Sequence, residues 1–328
     1  DSIDGIPTTT LDTCSHLRDV DLIIVSSKPY AAQILTFIDA HISKAQNVKL
    51  RSGYLLEDYF YLSHQEAASR DFFKIKLESD RPNFRTDFLP YLPENMLSSS
   101  EAQMLHWLAR HVYQGKGVIV ELGSWLGGST VALASGLSTN SYAKGCPLRT
   151  FDIFGGPIES PDCFFTQWVE NTSDYQSLIS ATHQNLNTVK WDGMPIEFLF
   201  VDAMKSVKLA ESIVPQFYSA LIPGESYLIH QDYKFHLTPW ILITSFRLRE
   251  YFEPVLSPSD AYTVVFKNTS AIPRSELLYS VDYSSVTEEE IQASYAYSIP
   301  FSPTSGQIRR FFDSYVSKAS EFFLDSKS

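Results

Sequence analysis

From residue 98 to about residue 270 the chain alternates between short, continuously apolar runs and longer stretches with apolar residues at helical spacing. Continuous apolar runs bounded by turn residues read as strands buried on both faces, and the amphipathic stretches between them read as covering helices. The pattern predicts strands over 117–123, 148–153, 188–191, 196–202 and 226–231, and helices over 101–113, 164–187, 207–221 and 239–251. The last two runs, 252–256 and 261–267, read as an antiparallel hairpin. Parallel strands separated by helices and closed by a hairpin make a doubly wound α/β sheet.

The flanks are less regular. Residues 20–60 carry one β-α-β unit, with strands over 21–26 and 48–51 and a helix over 31–41 that turns Ile34, Phe37 and Ile38 inward. Two strands and one helix cannot cover both faces of a parallel sheet, so 1–94 is expected to be a partial Rossmann-like region and connector. Residues 275–328 read as a helical C-terminal extension with two helical segments lying outside the core. The chain begins at Asp1 without Met and is expected to be a processed product or a piece of a longer protein with further domains upstream.

The segment richest in chemistry joins the 117–123 strand to the helix after it: Glu121-Leu-Gly123-Ser124-Trp125-Leu-Gly127-Gly128-Ser129-Thr130. Glycines there let a ligand approach the backbone, and the N-terminus of the following helix offers free N–H groups and the positive end of its dipole. A nucleotide P-loop is excluded, because Ser129 stands where the phosphate-neutralising Lys must be. A dinucleotide turn is disfavoured by Trp125 at the second glycine position. Glu121 suits a cationic ligand and would repel a pyrophosphate. The next strand ends in Asp152, a carboxylate where a ribose diol would lie.

The order strand, Glu-x-Gly-x-x-x-Gly-x-Ser, helix resembles the first motif of class I S-adenosylmethionine (SAM) methyltransferases. The resemblance implies that 95–274 is a Rossmann-like methyltransferase domain whose turn, through Glu121, Gly123, Ser124, Gly127, Ser129 and Thr130, cradles the methionine portion of SAM, with Asp152 on the ribose. Thr150-Phe-Asp152-Ile-Phe154-Gly-Gly156-Pro157 is similar to a segment of the macrolide-sugar O-methyltransferases of the macrocin and mycinose type. Those enzymes are metal-dependent, which implies Mg²⁺ on Asp202 and Asp232, although Gln231-Asp232 stands where that family commonly has two aspartates. His230 or His236, with Asp232, would then take the proton from an acceptor hydroxyl. Asp202 could instead cap the helix that follows it, and His230 could be an ordinary core histidine. The expected acceptor is a sugar hydroxyl or another small polar natural product. The alternatives are an NAD- or nucleotide-sugar-binding oxidoreductase and a non-catalytic methyltransferase-like binding module.

Charge and composition narrow the partners. With 26 Lys and Arg against 38 Asp and Glu, the formal charge is -12, and no basic run is present. Nucleic acid and anionic membranes are therefore not expected as partners. Cys14, Cys146 and Cys163 form no C-x-x-C pair, so neither a disulfide framework nor a zinc site is indicated and a cytoplasmic setting is expected. A homo-oligomer is compatible with the sequence.

Overall fold

The protein is described from a computed structural model covering residues 92–155, 161–235, 237–258, 261–298 and 308–323, with backbone alone for 161–162 and 308–313. It also gives the backbone of four short N-terminal strands. Two compact units are present, Asp1–Ser63 and His64–Ser328. In the first, Leu22–Val25 pairs parallel with Lys49–Ser52, as a β-α-β reading requires, and Ser2–Ile3 pairs antiparallel with Ile6–Pro7. The helix expected over 31–41 lies outside the described residues.

The second unit is built on a seven-stranded sheet. Its strands are β1 (Val118–Leu122), β2 (Leu148–Asp152), β3 (Ile179–His183), β4 (Ile196–Val201), β5 (Tyr227–His230), β6 (Phe252–Leu256) and β7 (Val264–Asn268). Their order across the sheet is β3-β2-β1-β4-β5-β7-β6. The first five pair in parallel, whereas β7 runs antiparallel to both β5 and β6. The parallel part has the doubly wound Rossmann order, with its reversal between β1 and β4, and the antiparallel hairpin takes the place of a sixth parallel strand.

The central strands are legible in the sequence because both of their faces are covered. Val118, Val120 and Leu122 point into one apolar cluster, while Ile119 points into the other. On the Ile119 side lie α1 (Ser99–Trp107) and α2 (Gly128–Leu137). On the opposite side lie α4 (Val207–Phe217) and α5 (Pro239–Arg247). Helix α1 starts at a reciprocal cap, in which the Ser98 hydroxyl accepts from Glu101 N and the Glu101 carboxylate accepts from Ser98 N.

Two expectations need correction. The third parallel strand is Ile179–His183, not 188–191, and the helix expected over 164–187 stops at Asn171 as α3 (Pro161–Asn171). An edge strand has one neighbour and an exposed flank, and Ser180, Ala181 and Thr182 give it no apolar run to detect. The C-terminal extension is also not outside the core. Helices α6 (Arg274–Ser280), α7 (Glu288–Ser298) and α8 (Ile308–Phe323) place Leu277, Ile291, Tyr295, Tyr315 and Phe323 in the same apolar cluster as β1 and α5. Tyrosines supply much of that surface, and their hydroxyls find partners inside: Tyr315 with Ser294 at 2.6 Å and Tyr283 with Thr244 at 2.7 Å. A core face written in Tyr and Ser reads as polar in a sequence. Among the described residues no helix is long and apolar enough to cross a membrane.

Candidate functional site

The carboxyl ends of β1, β2, β4 and β5 gather the predicted residues at one edge of the sheet, where doubly wound sheets take ligands. Among the described residues, three that are not glycine have positive φ: Trp125 (45°), Phe154 (44°) and Asp232 (61°). They follow β1, β2 and β5. Left-handed backbone costs of order 1–3 kcal/mol at a non-glycine residue, and such strain tends to collect at functional sites.

Strand alternation explains the first residue of the turn. Glu121 points to the same face as Ile119, toward α2, and is fully buried. Its carboxylate accepts from the Ser129 hydroxyl at 2.5 Å and from the Thr130 hydroxyl at 2.7 Å, both in the first turn of α2. Glu121 therefore fixes the turn from beneath, where the positive end of the helix meets it. Burial pushes its carboxyl up to about 7, with the hydroxyls of Ser129, Thr130 and Thr150 opposing and Asp152 adding to the rise.

A stability dependence on pH follows. The folded chain keeps this proton up to about pH 7, whereas the ordinary value is 4.5, so the native state loses stability as pH rises through that interval. The expected loss from Glu121 between pH 5 and pH 8 is roughly 2 to 3 kcal/mol. Urea unfolding of wild type and Glu121→Gln at both pH values checks this. The variant should lack that component, and equal pH dependence in the two proteins would contradict it.

Above Glu121 the turn is held by Asp152. One carboxylate oxygen accepts from Ser124 N at 2.7 Å and Trp125 N at 3.0 Å, and the other accepts from Phe154 N at 2.7 Å. Two of the three strained residues are thus clamped by one side chain. A carboxylate has about four acceptor positions, so three bonds leave Asp152 about one for a ligand hydroxyl. The glycines are needed for closeness as well as for φ. At Gly123 (φ +91°) an added Cβ would stand 3.2 Å from the Cβ and N of Ala203 after β4. At Gly127 (φ +94°) it would stand 2.9 Å from Thr172 Cγ2.

Ser124 Oγ is buried in this turn without a hydrogen-bond partner, and so is Trp168 Nε1, which stands beside Gly127. Buried unpaired polar groups cost free energy and call for an explanation. A ligand carrying hydroxyl, amino and carboxylate groups supplies one, so the turn fits SAM through Ser124, Asp152 and the backbone of 123–128.

The acceptor side is arranged differently from the expectation. Asp202, just past β4, and Asp232, just past β5, do approach each other, but Lys205 stands between them. Its ammonium donates to Asp202 Oδ1 at 2.6 Å, to Asp232 Oδ2, and more weakly to Gln231 Oε1 at 3.4 Å. Burial raises the Asp202 carboxyl to about 6, with Lys205 opposing and Asp232 and Glu101 adding to the rise. For Lys205 burial pulls downward, yet the two carboxylates outweigh it and the ammonium is held above its usual range. The residues present do not fit Mg²⁺: the place between the carboxylates is filled by a cation, and among the described residues no group of three or more His, Cys, Asp and Glu could hold a metal. Asp202 does not cap α4; Ser206 does, accepting from Leu209 N at 3.3 Å.

His230 is enclosed, at 3% exposure, with Nδ1 2.8 Å from the Gln231 carbonyl oxygen. Its ring lines a small internal cavity with Tyr218, Thr244 and Phe266. Burial lowers its imidazole to about 4, so it is neutral at physiological pH. His236, Gly156 and Pro157 lie outside the described residues. Lys205 was missed by sequence reasoning; the only signal was its spacing of three from Asp202.

No protein-family model and no curated protein sequence matches this chain. Solved structures do resemble it. An O-methyltransferase from Bacillus cereus, in complex with S-adenosylhomocysteine, is 16% identical over 66% of this chain and 96% of its own, with a TM-score of 0.38. CalS11, a TDP-rhamnose 3'-O-methyltransferase of calicheamicin biosynthesis, is 11% identical over 63% of this chain and 95% of its own, TM-score 0.43. A putative RNA methyltransferase from Pyrococcus horikoshii is 11% identical over 61% and 96%, TM-score 0.35. The strand order and pairing of this chain make its second unit a Rossmann-like doubly wound sheet closed by an antiparallel hairpin.

Proposed function

We propose that this chain is a SAM-dependent methyltransferase that methylates an oxygen of a small polar acceptor, a sugar hydroxyl being the favoured class. The observation that carries the reading is the β1 turn. It is clamped by Asp152 at the carboxyl end of β2 and contains a buried Ser124 hydroxyl left without a partner. That is the place in a doubly wound sheet where an adenosine cofactor lies, and Glu121 beneath it braces the turn through the Ser129 and Thr130 hydroxyls.

SAM, when bound, supplies the electrophilic methyl group. The chain must hold the acceptor oxygen in line with it, exclude water and accept a proton. The proton that the acceptor hydroxyl gives up passes to the protein or to water. Asp202 and Asp232 are the half-buried carboxylates at the correct edge of the sheet. Asp202, raised to about 6, has the basicity a proton acceptor near neutral pH requires, whereas His230 is enclosed and lowered to about 4.

Isothermal titration calorimetry with S-adenosylhomocysteine, with NAD⁺ titrated in parallel, tests the cofactor. Binding of S-adenosylhomocysteine alone is the expected result. Binding of NAD⁺ alone, or of neither, would overturn it.

A further inference from the structure

We infer that Lys205 is a built-in replacement for a divalent metal: its ammonium occupies the position between Asp202 and Asp232 where such an ion would stand, so the site works without one. The inference rests on the methyltransferase reading for its catalytic meaning, but its structural content stands alone. An ammonium has three donors, and here they are directed to Asp202 Oδ1, Asp232 Oδ2 and Gln231 Oε1. The three oxygens come from two loops, after β4 and after β5, and converge on one point. Hard divalent ions seek such convergent oxygen sets. The neutral Gln231 and the single positive charge of Lys205 agree with each other: one carboxylate fewer is matched by one cationic charge fewer.

Lys205 is thus a positioning residue. It keeps two like charges adjacent and fixes both carboxylates, one of them on Asp232, whose backbone is left-handed (φ 61°). At 52% side-chain exposure it is reachable from solvent, so its removal opens the position to an ion rather than leaving a sealed void.

The test is Mn²⁺ uptake, read from loss of the free-ion electron paramagnetic resonance signal, on the full chain. Wild type and Lys205→Arg should leave the signal unattenuated, because either keeps a cation in place. Lys205→Ala should bind one Mn²⁺ at least about tenfold tighter than wild type, and adding Asp202→Asn should abolish that binding. Wild type binding Mn²⁺ as tightly as Lys205→Ala, with loss in Asp202→Asn, would overturn the inference. Uptake by neither protein, with Lys205→Ala still folded by circular dichroism, would overturn it as well, because the oxygens would then not define a divalent site. S-adenosylhomocysteine titrated into the same wild-type sample reports on the cofactor reading alone; its failure to bind leaves the Mn²⁺ comparison intact.

Discussion

Asp152→Ala is expected to weaken S-adenosylhomocysteine binding by more than about 100-fold, close to 3 kcal/mol. The reason lies mainly in the protein. The carboxylate accepts three backbone N–H groups, from Ser124, Trp125 and Phe154, and two of those residues are held at positive φ. Hydrogen bonds to a charged acceptor contribute about 1.5–3 kcal/mol each, enough to hold two strained residues in place. Without the carboxylate both loops relax toward ordinary backbone angles, and the turn no longer presents Ser124 to a ligand. Asp152→Asn keeps the shape but turns one acceptor into a donor, so an intermediate loss of about tenfold is expected. Calorimetry measures the affinities, and amide exchange across 123–130, which should accelerate in the alanine variant, reads the turn without any ligand. Unchanged exchange there would show that Asp152 does not hold the turn.

Arg247→Met is expected to cost the largest stability of any single change considered, about 3 to 5 kcal/mol. The Arg247 side chain, at the end of α5, is 1% exposed and forms a two-pronged pair with Glu290 of α7, at 2.6 and 2.7 Å. It also donates to the carbonyls of Tyr279 and Asp282, each at 2.8 Å, and its guanidinium lies 4.6 Å from the centre of the Tyr279 ring. One residue therefore ties α5 to α6, to the turn after it and to α7. Methionine fills much of the volume but leaves the Glu290 carboxylate without its partner, while the carbonyls of Tyr279 and Asp282 keep Asp282 N and Ser285 Oγ as donors. Urea unfolding measures the loss, and amide exchange should show α6 and α7 opening before the central strands. A loss below about 1 kcal/mol would mean the pair is solvated in solution and does not dock the extension.

Much of the candidate site is legible in the amino-acid sequence. The turn from Glu121 to Thr130 is legible because a central parallel strand is a continuous apolar run and the glycines after it mark a tight strand-to-helix junction. Asp152, Asp202 and Asp232 were found by their position at strand ends, and the structure brings all three to one edge. Their roles were less legible. Which group an acid faces depends on residues far along the chain: Asp232 meets Lys205 across 27 positions, and Asp152 meets Ser124 across 28. Glu197 shows the same limit inside β4, where its buried carboxylate accepts from Gln114 N and Lys116 N, more than 80 residues upstream.

The sequence by itself determined the alternation of strands and helices, the closing hairpin and the glycine-rich turn after β1, because those features arise from local periodicity and backbone sterics. Only the tertiary structure decided that β3 is Ile179–His183, that the C-terminal helices enter the main core through tyrosine faces, and that Lys205 stands between two aspartates. Each of these depends on a partner distant in sequence: an edge strand on the neighbour that pairs with it, a buried tyrosine on the hydroxyl that satisfies it, and a charge on the opposite charge brought beside it. Local patterning specifies which faces are apolar, and packing in three dimensions specifies what each polar group meets.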